Sequence, residues 1–249
     1  MIEVRGLYKS FSGNEVLKDI NLDFLPGVCN LIIGGSGSGK TVLMKSIVGL
    51  HKPEKGEVIY DGRVFNTMTP SQQIDIRKEI GMIFQAGALF DSMNVEENVL
   101  FPLIMFRNQS RREMKKRVDF CLDRVNLSGS NKLMPSELSG GMKKRVAIAR
   151  AIAIEPRYLF CDEPNSGLDP QTAILIDNLI MDITKEFNIT TIINTHDMNS
   201  VFEIGERIAY IYQGELWWEG SKNNILNTDN KELNDFVFSS ALTKRVKGV

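Results

Sequence analysis

Apolar positions along this chain recur with two periods. Over Ile2 to Tyr8, Val16 to Phe24 and Val28 to Ile33 they alternate with polar residues or run together in short stretches, which predicts strands. From Lys40 to Leu50 the stretch "KTVLMKSIVGL" has the spacing of a helix, with Pro53 and Gly56 behind it as stop signals. "EVIYDGRVF" reads as a hairpin, because Asp61-Gly62 between β-rich flanks suits a turn with positive φ. From about Ala88 to Ala151 the texture is charged, methionine-containing and helical, which predicts a helical subdomain inserted into an α/β core. Strand-like runs return at Tyr158 to Cys161, Thr190 to Asn194 and Ile208 to Tyr212, the last pairing with Glu215 to Glu219 across Gln213-Gly214. The tail after Gly220 is polar, with one amphipathic helix expected around Leu233, Phe236, Val237 and Ala241.

Composition changes this picture little. The chain has 249 residues and is 43% hydrophobic, enough for a sizeable core. Its 30 Lys+Arg against 31 Asp+Glu give a net charge of -1, so no global field favours nucleic acid. The basic runs Arg111 to Arg117 and Lys143 to Arg145 read as solvated helix faces. Cys29, Cys121 and Cys161 lack metal-type spacing and read as small core residues in a reducing compartment. "MIEVRGLYKS" carries no apolar signal region, and no run approaches the ~18 apolar residues of a spanning helix. The longest candidate, Val99 to Phe106, is short and contains Pro102. A soluble chain that leans on a membrane protein is the expectation.

The strongest chemical signal is "GGSGSGKT", in which Gly34, Gly39, Lys40 and Thr41 fill the pattern G-x-x-x-x-G-K-[ST] between a strand and a helix. Glycines let successive amides turn inward around a β-phosphate, the helix N-terminus adds partial positive charge, and Lys40 reaches the β and γ oxygens. Thr41 is placed to offer its hydroxyl to Mg²⁺. "YLFCDEP" then delivers Asp162 and Glu163 at the end of an apolar strand, adjacent acids that need a cation or a reaction to justify them. Asp162 suits the metal shell and Glu163 the general base for water. In "NTHDM" another strand ends at His196, expected to face the γ-phosphate. Gln85, at the end of "GMIFQ", can touch both metal and water, whereas His51 receives no role.

A second helix start, "LSGGMKKRVAIARAIA", places Ser139 as N-cap with Gly140 and Gly141 leaving amides open. One chain's own phosphate loop already surrounds its triphosphate, so this second anion site is better used on nucleotide held by another copy. A homodimer closing around two ATP molecules is expected.

At these residues the chain resembles the nucleotide-binding subunits of ABC transporters over nearly its whole length to about Gly220. The resemblance implies an α/β fold: a RecA-like P-loop NTPase core, an N-terminal antiparallel β subdomain and an inserted α-helical signature subdomain. It implies an ATP-binding domain over 1–220, with the helical subdomain at about 88–151, and a tail over 221–249. It implies Phe11 as the aromatic that stacks on adenine, a role for which Tyr8 competes. It also implies Gly34, Gly35, Ser36, Gly37, Ser38, Gly39, Lys40, Thr41 and Val42 around ATP, Gln85, Asp162 and Thr41 around Mg²⁺, and Glu163 and His196 as catalytic groups with Gln85 and Lys40. It implies Ser139, Gly140 and Gly141 as the signature that meets the partner's nucleotide, and Asp169, from the D-loop Ser166 to Asp169, as a further nucleotide-binding residue. Met142, where the family most often has Gln, and Asn165-Ser166-Gly167 depart from the common pattern without removing a catalytic group.

"MIFQAGALFDSMNVEENVLFPL" and the signature segment look most like Mla-type ATPases, which implies phospholipid traffic between bacterial inner and outer membranes. A membrane permease and an Mce-type lipid-binding protein are the implied partners, at the cytoplasmic face of the inner membrane. Leu89, Phe90, Met93 and Val95 are candidates for the permease contact or for packing within the helical subdomain. Other importers and exporters stay open. Non-transport relatives with paired domains and phosphotransferases fit the motif set less well.

Overall fold

The computed structural model describes residues 1–239; the Ala241 end of the expected tail helix lies outside them. Six strands form a mixed sheet: β3 (Cys29–Ile33), β6 (Ile80–Ile83), β7 (Tyr158–Asp162), β8 (Thr190–Thr195), β9 (Arg207–Tyr212) and β10 (Glu215–Gly220), in the order β10-β9-β3-β8-β7-β6. All pairings are parallel except that of β10 with β9. A second, antiparallel sheet runs β2-β1-β4-β5, with β1 (Ile2–Phe11), β2 (Asn14–Phe24), β4 (Lys55–Tyr60) and β5 (Arg63–Val64). The α/β class expected from the alternation of strands and helices is the class observed.

The apolar runs are continuous because the parallel strands are buried on both faces, and successive side chains serve different cores. Leu31, Ile33, Leu159, Cys161 and Ile193 join a core shared with α3 (Val95–Phe106), α4 (Arg111–Arg124), α5 (Gly140–Ala153) and α6 (Pro170–Glu186). Their neighbours Ile32, Phe160 and Ile192 face the other way, into a core with the antiparallel sheet, α1 (Lys40–Ile47) and α2 (Pro70–Arg77). The three cysteines are free thiols within these cores, where burial pushes the Cys121 thiol up to about 11.

Local chemistry sets the breaks between elements. Both expected hairpin turns have positive φ at both central residues, 47° and 78° at Asp61-Gly62 and 50° and 83° at Gln213-Gly214. Helices α2, α3 and α4 each start on a capping box: Thr69 with Gln72, Asn94 with Glu97, Ser110 with Glu113. Helix α1 ends at Ile47, short of the Leu50 that periodicity suggested. The chain reverses there through Gly49 at φ 77°, and the Leu50 amide turns back to the Lys45 carbonyl at 2.8 Å.

Tyr60 ties the antiparallel sheet to this helix end: its ring is fully buried and its hydroxyl donates to the Ile47 carbonyl at 2.8 Å. Tyr60→Phe leaves that carbonyl without its donor and is expected to lower stability by about 1–3 kcal/mol. The urea midpoint against the parent protein measures this; an unchanged midpoint contradicts the tie.

Candidate functional site

Register brings the functional ends of four strands to one edge. Ile33 pairs with Thr195, Asp162 with Asn194, and Ile83 with Cys161, so the loops that follow β3, β6, β7 and β8 emerge side by side. That edge, at the carboxyl ends of parallel strands, is where open α/β sheets bind ligands. A cavity of about 530 Å³ opens there, lined by Gly35, Lys40, Thr41, Asp162, Glu163 and His196, with Gln85 beside them.

The loop from β3 into α1 is shaped by close backbone approach. Gly34 has φ 152°, and a Cβ there would lie 2.3 Å from the Ile211 carbonyl, so no larger residue fits. Lys40 folds over the loop, its Nζ donating to the carbonyls of Gly34 at 2.7 Å and Gly35 at 3.0 Å. Burial lowers its pKa, and the negative charges of Glu163 and Asp162 oppose that shift. Ser38 Oγ is buried in the loop without a hydrogen-bond partner, a donor suited to an anion. Val42 packs towards the core beneath the loop, and Phe11 stands 41% exposed with its ring 5.2 Å from that of His51. Neither lines this cavity, so adenine contact at Phe11 needs the base to extend beyond it.

Opposite the loop, Asp162 accepts from Asn194 Nδ2 at 3.1 Å and the Glu163 amide donates to the Asn194 carbonyl at 3.0 Å. Glu163 sits at φ 50°, an uncommon left-handed conformation for a residue with a side chain. Its Oε1 lies 2.8 Å from His196 Nδ1, so the structure joins these two predicted residues directly. Gln85 donates to Ser166 Oγ at 3.1 Å. Thr41, Gln85 and Asp162 offer oxygens on three elements, the donor type that Mg²⁺ prefers. Among the described residues no cluster of three or more His, Cys, Asp or Glu side chains could hold a metal alone. A cation that takes few protein ligands and completes its shell with phosphate oxygens and water fits this set.

Several residues at the site escaped the sequence reading. Lys144 belongs to a basic run that reads as solvated, yet it is only 6% exposed and its Nζ donates to the Gln85 carbonyl. Arg150 holds the carbonyls of Gly87 and Ala88 at 2.8 and 2.7 Å. The loop carrying Gln85 is thus fastened to α5. Arg117, from the other basic run, donates to the carbonyls of Ile152 and Ala153. Helix packing turned both runs partly inward, and no periodicity marks which lysine goes in. Phe236 on α8 (Lys231–Val237) and Ser239 just beyond it reach the cavity rim; α8 buries Leu233 and Val237 and sets the Phe236 ring 5.4 Å from Tyr210.

The second glycine-rich helix start lies elsewhere. Ser139 caps α5 by accepting from the Met142 amide at 3.2 Å, and Asp169 caps α6 by accepting from the Thr172 amide at 3.0 Å. Together with Gly140 and Gly141 they line a separate cavity of about 510 Å³ that shares no lining residue with the first. Within one chain, then, the structure does not bring Ser139, Gly140, Gly141 and Asp169 to the phosphate loop.

A family model described as ABC transporter matches residues 17–166. The chain belongs to the ABC transporter family. As an ABC cassette it is 34% identical, with a TM-score of 0.81, to the ATP-binding cassette MJ0796, solved as a dimer in a post-hydrolysis state bound to ADP and Pi; the match covers 89% of this chain and 99% of that one. It is 30% identical, with a TM-score of 0.85, to cbiO1 from Clostridium perfringens, part of the ABC transporter complex cbiONQ, over 99% of this chain and 97% of that one. Among curated relatives it is 36% identical to the probable ribonucleotide transport ATP-binding protein mkl of Mycobacterium leprae, over 95% of this chain and 68% of that protein. It is 38% identical to the methionine import ATP-binding protein MetN of Clostridioides difficile, over 95% and 74%. These relatives establish an ATP-hydrolysing ABC subunit with the P-loop NTPase fold.

In this cassette the start of α5 touches α6 closely: a Cβ on Gly141 would fall 2.7 Å from Thr172 Cγ2. Gly141→Ala is expected to destabilise by about 1–3 kcal/mol through overpacking. Adding Thr172→Ser removes the obstructing methyl and should recover most of the loss in the same denaturation assay.

Proposed function

We propose that this subunit hydrolyses ATP at two sites, each shared between two copies, and thereby drives a membrane permease that moves phospholipid. The observation that carries the shared site is the separation of the two cavities. One holds the phosphate loop and both acids, and the other holds the capped α5 terminus. A two-fold pairing of cassettes makes each half complete the other.

In this reading the amides from Gly34 to Thr41 and the Lys40 ammonium hold the β and γ phosphates, Val42 supports the loop from beneath and Phe11 receives the adenine. Thr41, Gln85 and Asp162 hold Mg²⁺, which neutralises charge on the phosphates when bound. Glu163 takes the proton of the attacking water, and His196 fixes the orientation of its carboxylate through the 2.8 Å contact. Ser139, Gly140 and Gly141 of one copy direct their amides at the γ-phosphate on the other, with Asp169 at the same seam. Positioning and charge neutralisation supply most of the catalysis, so one general base suffices.

An apolar surface supports the permease contact. Phe90, Ile104, Met105 and Phe106 are 39, 60, 58 and 43% exposed, and the Phe90 ring lies 4.8 Å from that of Phe101, one helical turn before Met105. Leu89 and Met93 are half-buried beside Phe90, whereas Val95 is fully buried and is unavailable to a partner. Among the described residues no helix is long and apolar enough to cross a membrane, so a separate permease would provide the path. In this reading the subunit works at the cytoplasmic face of the inner membrane. The segments around Gln85 and Ser139 favour an Mla-type permease with an Mce-type lipid-binding protein. The names of the relatives, ribonucleotide transport and methionine import, favour a second reading as an importer ATPase for small polar solutes.

Glu163→Gln is expected to slow ATP turnover by roughly 10² to 10⁴ while nucleotide still binds. Ser139→Arg is expected to stop turnover and ATP-driven dimerisation without preventing ATP binding by the single chain. Near-parental turnover in the first variant, or normal dimers in the second, contradicts these assignments. Cargo is tested by purifying the complex from native membranes and analysing bound proteins and lipids by mass spectrometry. An Mce-type protein with enriched phospholipid supports the lipid reading, and a solute-binding protein without lipid supports the other.

A further inference from the structure

Behind the nucleotide cavity, four polar side chains meet where helices α6 and α7 (Met198–Ile204) close over the sheet. Asn165, Asp177 and Ser200 are 5, 2 and 1% exposed. Asn165 Nδ2 donates to Ser200 Oγ at 2.7 Å and to Asp177 Oδ2 at 3.2 Å, with Asp197 Oδ2 at 3.5 Å. Ser200 Oγ donates to the same Asp177 oxygen at 2.7 Å. The other oxygen, Asp177 Oδ1, is buried with no hydrogen-bond partner.

An acid is an expensive choice here. Asp177 lies on the stripe of α6 that buries Ala173, Ile176, Ile180 and Ile183, where an apolar residue would pack without a desolvation penalty. What distinguishes the position is its connections. Asn165 stands two residues after Glu163, and Asp197 directly follows His196. The Asp197 amide donates to Thr195 Oγ1 at 3.0 Å and its Oδ1 accepts from the Asn199 amide at 2.9 Å, which fixes the turn that carries His196. The carboxamide of Asn165 has two N–H donors and so reaches partners on both helices, beyond what a threonine hydroxyl could do. This gives a physical reason for the departure at Asn165.

We infer that Asp177, acting through Ser200 and Asn165, is a positioning residue for ATP hydrolysis: it locks the segment carrying Glu163 to the turn carrying His196. The inference rests on the catalytic roles proposed for those two residues. Rigid groups that orient a reacting side chain from behind affect the reaction step more than substrate affinity.

The charge state of the cluster supplies a signature. Burial raises the Asp177 carboxyl to about 6; the negative charges of Asp197 and Glu203 add to the rise, and the hydrogen bonds from Ser200 and Asn165 oppose it. From the sheet side, Cys29 and Cys161 also feel this carboxylate, and burial, the first cause, pushes both thiols upward. Because the folded value lies above the ordinary one, the stability this group contributes is complete below the usual carboxylate range and is lost as pH rises through about 6. An asparagine at 177 therefore should not lower stability at pH 8.

The test measures steady-state ATPase activity of the full chain against ATP concentration and pH. Asp177→Ala and Ser200→Ala should each lower kcat on the order of 10-fold with little change in KM, and together they should be no worse than either alone. Asp177→Asn keeps an acceptor for Ser200. It should recover most of kcat at pH 8 and melt no lower than the parent there. Parental kcat in both alanine variants, or an Asp177→Asn variant as slow as Asp177→Ala, overturns the inference. Glu163→Gln run alongside separates the two levels: an inactive Glu163→Gln with fully active cluster variants sinks only the positioning role. An active Glu163→Gln removes the reading beneath it as well. If Asp177→Ala fails to fold, Ser200→Ala and Asp177→Asn carry the same comparison.

Discussion

The pairing of β7 with β8 is the contact on which the site depends. It sets Asp162 opposite Asn194, so that the Asn194 carbonyl receives the Glu163 amide and its side chain holds the Asp162 carboxylate. A slip of one residue would exchange the two faces of β7, sending Phe160 into the helical core and Cys161 out of it, with every ladder bond of the strand misplaced. Because both faces are buried, such a slip is heavily penalised. The same burial that builds the two cores therefore fixes where the acids emerge.

Strong restraint near the sheet contrasts with incompleteness at the surface. The phosphate loop is held by close backbone contacts, the Gln85 loop is fastened to α5 by Lys144 and Arg150, and Glu163 is kept in a left-handed conformation. Yet the Ser139 helix start and Asp169 face a cavity of their own, away from that loop. In the proposed pairing such a half-site would couple hydrolysis to assembly, since the groups at Ser139 would reach it only from a second subunit. The fastening of the Gln85 loop to α5 gives a path by which such closure would be felt near the exposed apolar patch at Phe90 and Met105.

Among the described residues the buried charged side chains stand behind the loops of the cavity. Lys144 and Asp177 are each less than a tenth exposed, and burial is the first cause shifting both, Lys144 downward and Asp177 upward. Each connects a loop at the cavity to a helix behind it. Such groups contribute little net stability after desolvation and are better understood as fixing one arrangement among several that would pack comparably.

Much of this molecule was legible in the sequence because the signals were local. Glycine spacing before Lys40, positive-φ pairs at both hairpins, the cap at Ser139 and the unbroken apolar runs each depend on a few adjacent residues, and each formed as expected. The order of the strand-end residues Gln85, Asp162, Glu163 and His196 was equally plain. Tertiary structure alone decided which faces those strands turned to which core, that Lys144 and Asp177 go inside, that Val95 is hidden while Phe90 is not, and that Phe236 comes to the cavity rim. These outcomes depend on which distant elements meet. Sheet order and helix packing choose that through contacts of long sequence separation, for which a single chain's periodicity holds no record.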